Sequence, residues 1–245
     1  MIRQPPNILR NAIANWLSFG FAALVGFFLA PFVVHRLGDS AYGVWVLLGS
    51  FVGYLGLLDF GVRGAVTRFV ADSHSRSDHE GASAIVAAAL RLFTTLATVT
   101  LLVSGLMAVL VNRVFDLPPE LVNDARLVVL LSGAAVAAAF VGGVFSGVVT
   151  GLQRFDIDST VEIAMTALRA TAVVTALRLG YGLVALGTIQ LGISVLRGGV
   201  AWVVAHRLYP DISIRSRRPP NGVIRHLLAF SLFSSLIHWS GMLIY

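Results

Sequence analysis

A repeated pattern of long apolar runs constrains this chain more than anything else in it: 12–34, 43–71, 82–111, 126–149, 159–177 and 182–205, with a further run that starts near 227 and is still apolar at Tyr245. About twenty mostly apolar residues cross the hydrocarbon core of a bilayer as a helix. Hydrocarbon offers the backbone no hydrogen-bond partner, so an open chain crosses it only with each run bonded to itself. Composition agrees: 57% of the residues are apolar and 12% charged, against about 25% charged in soluble domains. Such a chain cannot cover a water-facing surface, which excludes a soluble enzyme, a disordered regulator and a secreted mini-domain.

The expected fold is all-α, a polytopic transmembrane helix bundle of six spans plus the start of a seventh. We divide it into a six-helix bundle over 1–207, a cytoplasmic linker loop over 208–225 and the start of a second bundle over 226–245, where the sequence reads as cut. The first run is flanked by Arg3 and Arg10. It is too long for a signal peptide and no small-residue cleavage site follows, so it reads as a retained helix.

The basic residues orient the spans. All 18 are arginine, against 12 acids, giving a net charge of +6. In a soluble chain that balance would suggest nucleic acid; here the excess sits in short loops, as cytoplasmic loops require, and no nucleic-acid partner is expected. The N-terminus and the loops after runs two, four and six hold ten: Arg3, Arg10, Arg68, Arg76, Arg154, Arg207, Arg215, Arg217, Arg218 and Arg225. The opposite loops hold four, Arg36, Arg113, Arg126 and Arg178. The N-terminus is therefore expected in the cytoplasm.

Apart from Arg68 and Arg126, which sit at run ends, four arginines fall inside runs. Arg91 lies near enough to an end to reach the interface. Arg63 is five residues, or about 8 Å, above Arg68. Arg169 and Arg197 are about ten residues from the nearest end. An arginine at mid-bilayer costs about 2.5–3.5 kcal/mol on insertion scales, so each needs a reason. Asp59 precedes Arg63 by four, which on one helix would let them pair. Glu162 precedes Arg169 by seven, and Arg197 has no acid within a turn. A buried arginine lacking an acid implies a water-filled cavity, a distant acid or an anionic ligand. Guanidinium holds phosphate with two parallel hydrogen bonds, which makes Arg63, Arg169 and Arg197 the candidate substrate-binding residues.

Other features are weaker. Pro31, inside the first run, lacks an amide hydrogen and crowds the preceding turn; it is the candidate hinge. Gly49 and Gly53, and Gly143, Gly147 and Gly151, recur at four-residue spacing. Such spacing flattens a helix face for close packing, and sliding contacts in a transporter would use the same faces. Asp156 and Asp158 form a lone D-x-D, too short a pattern to assign a metal. There is no cysteine, no H-E-x-x-H and no phosphate-binding glycine loop. No catalytic residue, cofactor or metal is expected.

Several short stretches resemble a known family: Arg36-Leu37-Gly38, Tyr42-Gly43-Val44-Trp45, Leu57-Leu58-Asp59-Phe60-Gly61 and Arg68-Phe69-Val70-Ala71, with Asn15 and Gly151-Leu152-Gln153-Arg154. The pattern is similar to that of the polysaccharide (O-antigen and exopolysaccharide) flippases of the multidrug/oligosaccharidyl-lipid/polysaccharide exporter superfamily. The resemblance implies two bundles of about six helices around a cavity that opens alternately to either side, this chain being the N-terminal lobe.

It further implies a transporter of a polyprenyl-diphosphate-linked oligosaccharide in the bacterial inner membrane, not an enzyme, working in the bilayer beside other polysaccharide-assembly membrane proteins. Asp59 would then be a coupling or switch residue. Two other readings stand beside this one. One is a cation-coupled drug or metabolite antiporter of the same superfamily. The other, a membrane glycan polymerase or ligase, normally displays a long outer loop.

Overall fold

The structure, a computed structural model, describes residues 8–56, 59 and 62–210. The seventh run, the linker loop beyond Pro210 and the start of a second bundle lie outside the described residues. Every regular element within them is helical: α1 (Ile8–Leu37), α2 (Asp39–Gly56), α3 (Val62–Ser75), α4 (His79–Val114), α5 (Val122–Gly151), α6 (Phe155–Arg178) and α7 (Leu183–Leu208), with a 3-10 turn at Pro119–Leu121. Five of these helices, α1, α4, α5, α6 and α7, are long and apolar enough to cross a membrane.

The connections are short because the chain carries the residues that stop helices. Gly38 takes φ +79° between α1 and α2, with its amide bonded to the Val34 carbonyl at 2.9 Å; a glycine adopts that left-handed turn without penalty. Gly180 does the same after α6, at φ +85°. Asp78 caps α4 by accepting from the Gly81 amide at 2.8 Å. α4 has 36 residues, about 54 Å of helix, so it projects beyond any bilayer, as the length of its run predicts.

The second run departs from expectation. In place of one span over 43–71, α2 ends at Gly56 and α3 begins at Val62. Gly56, Gly61 and Gly64 weaken helix locally, and Asp59 favours a cap over a helix interior. The Arg63 amide in the first turn of α3 points to the Asp59 carboxylate at 3.4 Å.

α5 is the centre of the bundle. It is apolar on every side and contacts α2, α3, α4, α6 and α7, as an all-round apolar helix should. Where lipid replaces water, helices associate through close packing and not through hydrophobic burial, and glycines allow it. A methyl group on Gly142 would lie 2.6 Å from Gly198 Cα, and one on Gly151 would lie 2.9 Å from the Thr67 carbonyl oxygen. Gly147 is similarly close to Val66. The expected contact role holds for Gly147 and Gly151 but not for Gly143, Gly49 or Gly53, which have no neighbouring atom within 4 Å of an added methyl.

α1 lies at the edge, packed on α6 and more lightly on α2, with Trp16, Phe19, Phe27 and Phe28 exposed. It is helical on both sides of Pro31.

Candidate functional site

Helical periodicity assembles the site. On α6, Asp158, Glu162, Thr166 and Arg169 recur every three or four residues and so share a face. Gln190, Ser194 and Arg197 do the same on α7. The two faces meet across α5 at Gly142, Gly143 and Ser146, where missing side chains leave room. The result is a cavity of about 240 Å³ whose walls include Glu162, Thr166, Arg169, Gln190, Ser194 and Arg197, closed on one side by Arg63 from α3. Arg63, Arg169 and Arg197, widely separated in the chain, thus line one space.

Their surroundings differ. Arg63 Nη2 donates to Ser146 Oγ at 2.6 Å and to Asp158 Oδ2 at 3.0 Å, while Ser146 Oγ donates to Asp158 Oδ1 at 2.5 Å. Both carboxylate oxygens are therefore occupied in a three-helix contact. Arg197 Nη1 is paired with Glu162 Oε2. Arg169 has neither a hydrogen bond nor a carboxylate in reach among the described residues. Three guanidinium groups against two carboxylates leave an excess positive charge, located at Arg169.

One pairing differs from what the spacing suggests, and another could not be read from spacing at all. The Arg63 side chain takes Asp158 in place of Asp59, because Asp59 precedes α3, which begins at Val62, and the four-residue rule holds only for two residues of one helix. Arg197, with no acid within a turn of its own helix, finds a distant one, Glu162, across the α6–α7 interface. Glu162 in consequence serves Arg197 and not Arg169. The D-x-D pair also separates: Asp158 goes to Arg63, while Asp156 accepts from Arg154 Nε at 3.2 Å. Among the described residues no three potential metal ligands cluster.

Ser146 and Gln190 are site residues that the sequence did not single out, and Asp158, noted only as half of the D-x-D, serves instead as the partner of Arg63. Gln190 did carry a signal, being a polar group well inside an apolar run.

The fold thus defines a multi-pass helical membrane protein with an arginine-lined cavity. Residues 8–243 match the family described as polysaccharide biosynthesis protein, and the chain belongs to that family. It is 24% identical over 163 residues to the uncharacterized membrane protein EpsK of Bacillus subtilis (strain 168), a match covering 66% of this chain and 32% of that protein. The chain thus spans about a third of the length of the curated relative it matches. No solved structure matches it.

Proposed function

We propose that the chain is the N-terminal bundle of a transporter that moves a polyprenyl-diphosphate-linked oligosaccharide across the bacterial inner membrane by alternating access, with its N-terminus in the cytoplasm. Family membership supports a role in polysaccharide biosynthesis. The observation that carries the reading is Arg169, a guanidinium without a partner among the described residues, in a cavity that Arg63 and Arg197 also line. A diphosphate fits that arrangement because each guanidinium can present two parallel donors to phosphate oxygens.

In this reading Arg169 makes the first contact. Phosphate oxygens then compete with Asp158 for Arg63 and with Glu162 for Arg197. Both carboxylates belong to α6, so the ligand loosens α6 from α3 and α7 together. A ligand shifts a conformational equilibrium only by binding one state more strongly, and exchange of carboxylate for phosphate provides that difference. Asp59, next to the start of α3, is the proposed switch residue, and Pro31 the proposed hinge of α1. The antiporter reading needs a carboxylate free for a cation, whereas Asp158 and Glu162 are both engaged by arginine.

Glycan export by cells that depend on the full-length protein tests the proposal. Arg169→Ala should reduce export by about tenfold or more, the loss of one charge-assisted anchor. Arg169→Lys should restore part of it, keeping the charge without the planar fork. Unchanged export in both Arg169→Ala and Arg197→Ala, at equal protein levels in the membrane, would rule the cavity out.

A further inference from the structure

The arginine cavity has an apolar neighbour. Arg169 and Gln190 line both it and a second cavity of about 230 Å³ enclosed by α1, α2, α6 and α7. Beyond those two residues, the Tyr42 hydroxyl and the Trp45 indole N–H, the second cavity's side chains are apolar, among them Leu29, Val33, Val173, Leu186 and Ile189. Leu29 also lines a third space, an open groove of about 420 Å³ between α1 and α6 whose walls include the exposed Leu24 and Phe28. Three adjoining spaces thus lead from the guanidinium groups, past one amide, to largely apolar walls and an exposed side of the bundle, where Arg178 also lines the groove.

The junction is abrupt. Val173 follows Arg169 by one turn on α6, and Leu186 precedes Gln190 by one turn on α7. A phospholipid interposes a polar glycerol ester region between phosphate and hydrocarbon. A prenyl diphosphate attaches its hydrocarbon directly to a phosphate oxygen, so its polarity changes over the same short distance as these walls.

We infer that the cavity enclosed by α1, α2, α6 and α7 seats the first isoprene units of the lipid carrier, those nearest the diphosphate, and that the rest of the chain leaves through the α1–α6 groove. The inference rests on the reading that the arginine cavity holds the diphosphate. Gln190, at the junction, donates its amide hydrogens to the bridging region of the ligand.

Trp45 is a built-in reporter. In residues 1–245 carrying Trp16→Phe, Trp202→Phe and Trp239→Phe, only Trp45 of their four tryptophans remains. Farnesyl diphosphate should change its emission saturably and bind about tenfold or more tighter than inorganic diphosphate, since its hydrocarbon leaves water. Ala30→Phe, which fills the second cavity at a residue lining it, should bring the two affinities close together. Leu186→Phe, from a different helix, should act in the same direction, so a folding defect in one variant does not decide the matter.

If inorganic diphosphate binds and farnesyl diphosphate binds no tighter, the apolar seat is wrong while the diphosphate reading survives. If neither ligand binds, both fail. An equal response of Trp45 to dihexanoyl phosphatidylglycerol would identify the occupant as a phospholipid and overturn the prenyl assignment.

Discussion

Arg63, Arg169 and Arg197 have the same chemistry and three different situations, which makes the residue scale the place to test what holds this site. Removing one member of an ion pair leaves the other without its counter-charge, at a cost of several kcal/mol when deeply buried and little when exposed. Asp158 and Glu162 are each about a quarter to a third exposed, so the cost is intermediate. Asp158→Ala should lower stability by about 1–2 kcal/mol, measured by denaturant or thermal unfolding of the detergent-solubilised protein. Asp59→Ala, which leaves the Arg63–Asp158 pair intact, should cost less than about 1 kcal/mol. A larger loss for Asp59→Ala than for Asp158→Ala would reverse the assignment of Arg63's partner. For the second pair, a double-mutant cycle with Arg197→Ala and Glu162→Ala should show a coupling of about 0.5–3 kcal/mol; additive effects would mean that the contact contributes nothing.

Among the elements, the crossing of α5 and α7 is the one that positions the cavity walls. Its closest point is Gly142 against Gly198, whose backbones leave no space for a methyl group. Gly142→Ala should therefore destabilise by about 1–3 kcal/mol through overpacking. Gly143→Ala provides the control one residue away: with nothing within 4 Å it should be neutral or stabilising, as alanine has about 1 kcal/mol more helix propensity. The difference between the two unfolding curves checks the packing of this crossing. Four-residue glycine spacing marked Gly147 and Gly151 correctly, yet it did not reveal Gly198. That contact depends on which faces of α5 and α7 meet, and no pattern within either helix carries that information.

For the whole molecule, the proposed orientation, with the N-terminus in the cytoplasm, makes a prediction at the loops. Run two, now α2 and α3, ends on the side of Ser77, and α4 carries the chain to Asp116 on the other. The absence of cysteine makes this measurable without background. With Asp116→Cys in intact cells, a membrane-impermeant maleimide should label the protein after its addition to the outer side of the inner membrane. With Ser77→Cys, labelling should require permeabilisation. The opposite pattern would invert the orientation and place the Arg63 end of the cavity outside.

Much of the molecule was legible before any coordinates. Apolar runs of bilayer length determine an all-helical, multi-pass chain, because an unpaired backbone in hydrocarbon is too costly to permit anything else. The expense of burying charge singled out the arginines that line the cavity. What the tertiary structure decided was partnership: Asp158 with Arg63, Glu162 with Arg197, no acid for Arg169, and an apolar chamber behind it. Periodicity fixes which residues share a helix face, but the pairing of faces arises from helix crossings. Those depend on side-chain volumes meeting across the interface, a property of two segments at once and written in neither of them alone.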